Sequence, residues 1–211
     1  MVACDCTQES QRRSAWEKAR RNSGLPAICH DQTFGNYRRE RQPEAFVAAA
    51  EFAAHPERLW LVLQGEVGTG KTHLAAAIVN RLLGTTDWRP LYYVVPDLLD
   101  RLRPAPHRDD TERDREWKAI REASVLVLDD YGKEKGSEWA DETLFKLLDF
   151  RYTHHLPLAM TTNLPFDDPE LMPPAIASRL QDRARSRVIR LRPGDYRRSR
   201  ERATERDDWG E

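Results

Sequence analysis

Gly65, Gly70, Lys71 and Thr72 occupy the fixed places of G-x-x-x-x-G-K-[ST]. Glycines at 65, 68 and 70 permit backbone angles that a β-carbon forbids, so successive N–H groups can turn inward on phosphate oxygens. Lys71 then supplies an ammonium for the β and γ phosphates, and Thr72 a hydroxyl for Mg²⁺. The alternative is a glycine-rich turn with an incidental Lys-Thr, and the flanks argue against it. An apolar run from Leu59 to Leu63 precedes the loop, and Leu74, Ala75, Ala77 and Ile78 follow it at helical spacing. Strand, loop and helix in that order bring the positive end of a helix to the phosphates. The ligand implied is a nucleoside triphosphate.

A second set of oxygen ligands stands some 55 residues further on. Ser124-Val125-Leu126-Val127-Leu128-Asp129-Asp130 reads as a buried strand, four apolar residues running into two acids. In a parallel sheet the C-terminal strand ends open onto the ligand crevice, so acids there face the phosphates. Asp129 is expected to hold Mg²⁺, directly or through water, and Asp130 to orient or deprotonate an attacking water. A third strand, Leu156 to Asn163, also ends in polar residues. Asn163 has two open readings: an amide hydrogen-bonding the γ-phosphate or the water, or a plain turn former before Leu-Pro.

The elements that must position these groups alternate. Residues 8 to 22 read as a solvated basic helix around Trp16, stopped by Gly24 and Pro26, with a docking arm for a partner as the alternative. Residues 31 to 42 read as a connector. A helix follows from Pro43, with Phe46, Val47, Ala50 and Ala54 on one face. Leu91 to Val95 is a strand, Asp97 caps a short helix holding Leu98, Leu99 and Leu102, and residues 109 to 123 form a charged helix with Trp117 and Ile120 inward. Ser137 caps a helix with Leu144, Leu147, Leu148 and Arg151 on one stripe, and Pro173 and Pro174 start one holding Ile176, Arg179, Leu180 and Arg183. Strands alternating with helices predict a parallel α/β sheet.

Bulk properties narrow the class. The 211 residues suit one domain, and the net charge of -1 with 33% charged residues gives no global field toward nucleic acid. No apolar run approaches a membrane span, and three cysteines suit a reducing compartment, so a cytosolic protein is expected. Cys4 and Cys6 are either half of a zinc site or two free thiols. From Arg183 to Arg202 nine arginines stand against Asp195 and Glu201. Residues 187 to 192 read as a charge-protected edge strand, with a nucleic-acid surface as the other reading, and the latter stays open for 197 to 206.

Taken together, Gly68-Thr69-Gly70-Lys71-Thr72-His73-Leu74-Ala75, Leu128-Asp129-Asp130-Tyr131-Gly132, Phe150-Arg151-Tyr152, Thr161-Thr162-Asn163-Leu164 and Ser178-Arg179-Leu180 resemble the DnaC/DnaI/IstB group of AAA+ ATPases. The likeness runs from Ser23-Gly24-Leu25-Pro26 and Thr33-Phe34-Gly35-Asn36-Tyr37 to Gly194-Asp195-Tyr196-Arg197. The resemblance implies a P-loop parallel sheet of order 5-1-4-3-2 and an ATPase with ATP and Mg²⁺ between neighbouring copies. The nucleotide-binding residues would be Gly65, Val67, Gly68, Thr69, Gly70, Lys71, Thr72 and His73. Thr72 and Asp129 would hold the metal, Asn163 takes the sensor-1 place beside Asp130, and Arg179 takes the arginine-finger place, acting in trans. Its alternative is a helix-surface ion pair.

The implied organisation is a short basic arm at 1–26, the ATPase domain at 27–197 and a charged tail at 198–211. The sequence departs from the group in having Asp130 where Glu is commoner, and about 25 residues with one Cys pair in place of an N-terminal helicase-binding domain. The implied partners are a replicative helicase, single-stranded DNA and further copies of the chain. The alternative within the group is a transposition helper acting on duplex DNA with a transposase. A small-molecule kinase would need a lid and an acceptor pocket, which Thr162-Asn163 and Ser178-Arg179 do not suit.

Overall fold

The computed structural model describes residues 5–85, 88–104, 109–132 and 137–194, with side chains from residue 13 onward. Five parallel strands, β1 (Trp60–Gln64), β2 (Pro90–Val94), β3 (Val125–Tyr131), β4 (Leu158–Thr162) and β5 (Ser186–Arg190), form one sheet of order β2-β3-β4-β1-β5. This is the expected 5-1-4-3-2 order. The helices are α1 (Asp5–Asn22), α2 (Pro43–Ala54), α3 (Lys71–Leu83), α4 (Val95–Leu102), α5 (Asp110–Arg121), α6 (Glu138–Thr153) and α7 (Pro174–Leu180).

Side-chain alternation splits the core in two. Leu61, Leu63, Tyr92, Val125, Val127 and Ala159 face α2 and α3, whereas Trp60, Val62, Leu126, Leu128, Leu158 and Met160 face α4, α6 and α7. The strands are therefore buried on both faces, which is why they read as continuous apolar runs. Because β1 lies between β4 and β5 while the next strand, β2, lies at the far edge, the chain order reverses beside β1. The C-terminal ends of β1, β3 and β4 open at that point.

Several local expectations shift. In α2 the buried stripe is Ala45, Ala48, Ala49, Phe52 and Ala53, while Val47 is 48% exposed. Small alanines let α2 approach α3 closely, so close approach and not apolar size decides which face turns in. Helix α4 begins at Val95 with Pro96 in its first turn, so Asp97 lies inside the helix instead of capping it. The basic helix α1 is not simply solvated, since Trp16 and Ala19 pack on the core and the Arg20 guanidinium lies 4.3 Å from the Trp16 ring centroid. Helix α7 stops at Leu180, leaving Arg183 outside it. The edge strand β5 runs from Ser186 to Arg190, two residues short of the expected end, although the Leu191 N–H still donates to the Gln64 carbonyl at 2.7 Å. Ser137 caps α6 as expected, accepting from the Ala140 N–H at 3.1 Å.

Within α6, Arg151 is fully buried and its guanidinium donates to the carbonyls of Arg121, Ala123 and Pro157. Burial pulls its pKa down to about 9. It ties the end of α5 to the start of β4. Cys4, the Cys6 side chain, the arginines from 197 to 202 and the tail at 198–211 lie outside the described residues. No helix among the described residues is long and apolar enough to cross a membrane.

Candidate functional site

The loop after β1 turns into α3 at Gly70, which has φ 93 and forms the helix N-cap without any side-chain cap. A Cβ there would meet the Tyr37 ring at 3.1 Å and be strained by the backbone angle as well. With no side chain capping it, the N-terminal end of α3 can face an anion. Lys71 is buried, and its Nζ donates to the carbonyls of Gly65 at 2.7 Å and Glu66 at 2.8 Å. The ammonium is folded back on its own loop and must swing outward to meet a phosphate.

Asp129 and Thr72 come together as expected: the Thr72 hydroxyl lies 3.3 Å from Asp129 Oδ1. Asp129 is only 2% exposed, and its Oδ1 also accepts from the Thr161 hydroxyl at 2.5 Å while Oδ2 accepts from the Tyr92 hydroxyl at 2.7 Å. Burial pushes the Asp129 pKa up. The hydrogen bonds from Thr161, Tyr92 and Thr72 pull it back down, and the neighbouring Asp130 charge raises it. The Tyr92 hydroxyl is raised chiefly by burial and then by the Asp129 charge, so it stays protonated and donates.

The strand bulges after Leu128, and Asp130 adopts φ 60, a left-handed conformation that Asp tolerates better than most residues. Its N–H donates to Thr161 Oγ1 at 2.9 Å, and the residue turns onto the crevice. Gly132 follows with φ 94, and a Cβ there would meet the Leu164 side chain at 2.4 Å, so β3 can leave past the β4 loop only as glycine. On the neighbouring strand the Thr162 hydroxyl donates to the Tyr131 carbonyl and accepts the Leu164 N–H, setting the turn that carries Asn163.

A cavity of about 790 Å³ lies over these strand ends, in the size range of small-molecule sites. Val67, Gly68, Gly70, Lys71, Thr72, His73, Asp130 and Asn163 line it, and so does a wall drawn from residues 28 to 38, most of it within the stretch 31 to 42 that is expected only as a connector. That wall is built by two short 3-10 turns, Ala27–Cys29 and Phe34–Asn36, and includes Ile28, Asn36, Tyr37 and Arg38. Asn80 of α3 pins it, donating to the carbonyls of Gln32 at 2.8 Å and of Cys29 and His30 at 3.3 Å. His73 Nε2 lies 3.0 Å from the Thr33 carbonyl, and Tyr37 packs between Phe46 and His73.

Gly65, Thr69 and Asp129 do not line the cavity. Gly65 accepts from Lys71, the Thr69 hydroxyl donates to the Glu66 carbonyl at 2.9 Å, and Asp129 sits behind Thr72. Arg179 stands apart from its own chain's cavity, on α7, paired with Asp149. The ion pair weighed from the sequence is present, on a half-buried surface. Thr161, noted only within the Thr161-Thr162-Asn163 motif, Tyr92, noted only as strand, and Asn80 carry no site role in the sequence expectations. The threonine doublet closing an apolar strand before Asn163 and the tyrosine inside the β2 run were the available signals.

A sequence profile for the IstB-like ATP binding protein family matches residues 11–204, nearly the whole chain. The chain belongs to that family. Among relatives of this IstB-like chain, YqaM of Bacillus subtilis strain 168, an uncharacterised protein, is 25% identical over 204 residues, covering 90% of this chain and 63% of its own length. The replicative helicase loader DnaC of Escherichia coli K12 is 27% identical over 167 residues, 77% of this chain and 66% of its own. The chain thus spans under two thirds of the length of YqaM and about two thirds of that of DnaC. A crystal structure of the DnaC helicase loader superposes with a TM-score of 0.67 at 23% identity, over 79% of this chain and 100% of that one. The IstB-like chain is an ATP-binding protein with a P-loop and a five-stranded parallel sheet, a fold it shares with the DnaC helicase loader.

The residues present suit a magnesium nucleotide. The uncapped helix end, the Lys71 ammonium and the Thr72 hydroxyl lie at the crevice, with the Asp129 carboxylate just behind Thr72, and all are hard-ligand or phosphate partners.

Proposed function

We propose that this ATP-binding chain is an ATPase switch that loads a replicative helicase onto single-stranded DNA, with ATP held between neighbouring copies. Bound Mg²⁺ supplies charge neutralisation across the phosphates, with Thr72 and Asp129 as its protein ligands. Lys71 reaches the β and γ phosphates, and Ile28 and Tyr37 offer apolar surface to the base. Asp130 orients and deprotonates the attacking water, and Asn163 hydrogen-bonds that water or the γ-phosphate. Arg179 of an adjacent copy stabilises the charge that builds on the transferred group.

The observation that carries this reading is the position of Arg179. Arg38 and Lys71 are the arginine and lysine cations among the described cavity residues, whereas Arg179 lies on α7 away from that cavity, its side chain partly exposed beside Asp149. A cation placed there completes a site only on a neighbouring molecule. The loader role itself leans on the likeness to DnaC.

The test is a pull-down of a replicative helicase with and without ATP, paired with DNA titrations at fixed salt. ATP-dependent capture and tighter binding to single strands support the loader. Absence of helicase capture, with preference for duplex DNA, overturns it in favour of a transposition helper.

A further inference from the structure

We infer that Asp149 is a positioning residue that holds Arg179 in the attitude needed to serve a neighbouring copy. The inference rests on the arginine-finger reading of Arg179 and deepens it. On α6, Phe145, Asp149 and Tyr152 fall at i, i+4 and i+7 and form one face against α7. The Arg179 guanidinium lies over that face, 4.6 Å from the Phe145 ring centroid and 5.9 Å from that of Tyr152. Its Nε donates to Asp149 Oδ1 at 3.1 Å, Nη2 donates to the same oxygen, and Nη1 donates to the Ala175 carbonyl at 2.8 Å. One edge, the far nitrogen and one face of the guanidinium are therefore all constrained.

The supporting ring is anchored in turn. The Tyr152 hydroxyl donates to Asp182 Oδ2, and Arg185 stands 4.9 Å from the ring centroid. Both partners belong to the segment just after α7, so α6 and α7 are fixed to each other around Arg179.

Stability alone does not explain this arrangement. The side chains of Arg179 and Asp149 are 23% and 43% exposed, and ion pairs so accessible contribute little to folding. Ordering a long arginine, by contrast, is a recurring entropic cost of transition-state contacts. A guanidinium already oriented spends none of that cost at the moment of phosphoryl transfer. The exposure that weakens the pair as a stabiliser leaves the arginine within reach of another molecule.

The experiment measures ATPase kcat and KM of the full chain, across protein concentrations, for wild type, Asp149→Ala, Asp149→Glu, Arg179→Ala and the Asp149→Ala/Arg179→Ala double variant. Asp149→Ala is expected to lose about tenfold or more in kcat, with KM for ATP within about twofold, because its own cavity is intact. Asp149→Glu should recover part of the loss, and the double variant should match Arg179→Ala alone. A second measurement guards against misfolding. Lys71→Ala chains, which cannot use ATP themselves, are added to wild type as finger donors, and Lys71→Ala/Asp149→Ala donors should stimulate less.

An unchanged or raised kcat in Asp149→Ala alongside an impaired Arg179→Ala overturns the positioning role and leaves the finger standing. Additive losses in the double variant overturn it as well. Wild-type activity in Arg179→Ala overturns both the finger and the role of Asp149.

Discussion

The Thr161 hydroxyl joins the two acids of the site: it donates to Asp129 Oδ1 at 2.5 Å and accepts the Asp130 N–H at 2.9 Å. One side chain on β4 therefore sets both the buried carboxylate and the left-handed turn that aims its neighbour. Replacing it with valine keeps the shape and removes both bonds. Thr161→Val should destabilise the fold by about 1–3 kcal/mol, the range for leaving a buried polar group unpaired. ATPase activity should fall along with it, while Thr161→Ser retains most of both. Thermal melts and phosphate-release assays on the two variants check this.

Asp130 and the nucleotide-gripping groups should separate cleanly. Asp130→Asn keeps the size of the side chain and the backbone bond to Thr161 but removes the carboxylate proposed as the base. Hydrolysis is expected to fall by roughly 10²-fold or more, as for loss of a general base, with ATP affinity nearly unchanged. Equilibrium nucleotide titration and single-turnover hydrolysis distinguish the two effects.

Asn80 is expected to matter for nucleotide affinity without touching nucleotide. Its amide is the clasp between α3 and the wall carrying Ile28 and Tyr37. Asn80→Ala should cost about 1–2 kcal/mol of stability and weaken ATP binding several-fold. Calorimetric titration beside a melt reads both.

Arg151 should prove structural. Its loss leaves the carbonyls of Arg121, Ala123 and Pro157 without their buried donor. Arg151→Met is expected to cost about 3 kcal/mol, lowering Tm by roughly 6–12 °C. Lysine should rescue poorly, because a single ammonium does not span three acceptors as a planar fork does. Circular-dichroism melts of both variants test this.

The sequence made legible whatever was local. Strands β1, β3 and β4 are contiguous apolar runs, the phosphate loop is a fixed spacing, and Asp129 follows its apolar run without a gap, so the meeting of Thr72 with Asp129 came out as expected, while the sheet order agrees with what the family resemblance implied. What was hidden depends on approach between distant segments. Residues 31 to 42 carry no periodicity, yet become part of a wall because Asn80, some 50 residues away, holds the Gln32 carbonyl together with those of Cys29 and His30 just before it. Tyr92 looked like core and is, but its hydroxyl ends on Asp129. The inward face of α2 was misjudged because alanine allows a closeness to α3 that apolar size does not forecast. Arg179 was readable as a residue, while its seat on Asp149 needed α6 and α7 side by side.

The central claim is that magnesium nucleotide is gripped by the Gly65–Thr72 loop, the Lys71 ammonium and the Thr72–Asp129 pair. Its most direct test is a titration of a fluorescent ATP analogue into wild type, Lys71→Ala and Asp129→Ala, each with and without Mg²⁺. The account predicts saturable binding by wild type that Lys71→Ala weakens at least tenfold, and a magnesium dependence that disappears in Asp129→Ala. Equal affinity in wild type and Lys71→Ala, or an unaltered magnesium response in Asp129→Ala, would contradict it.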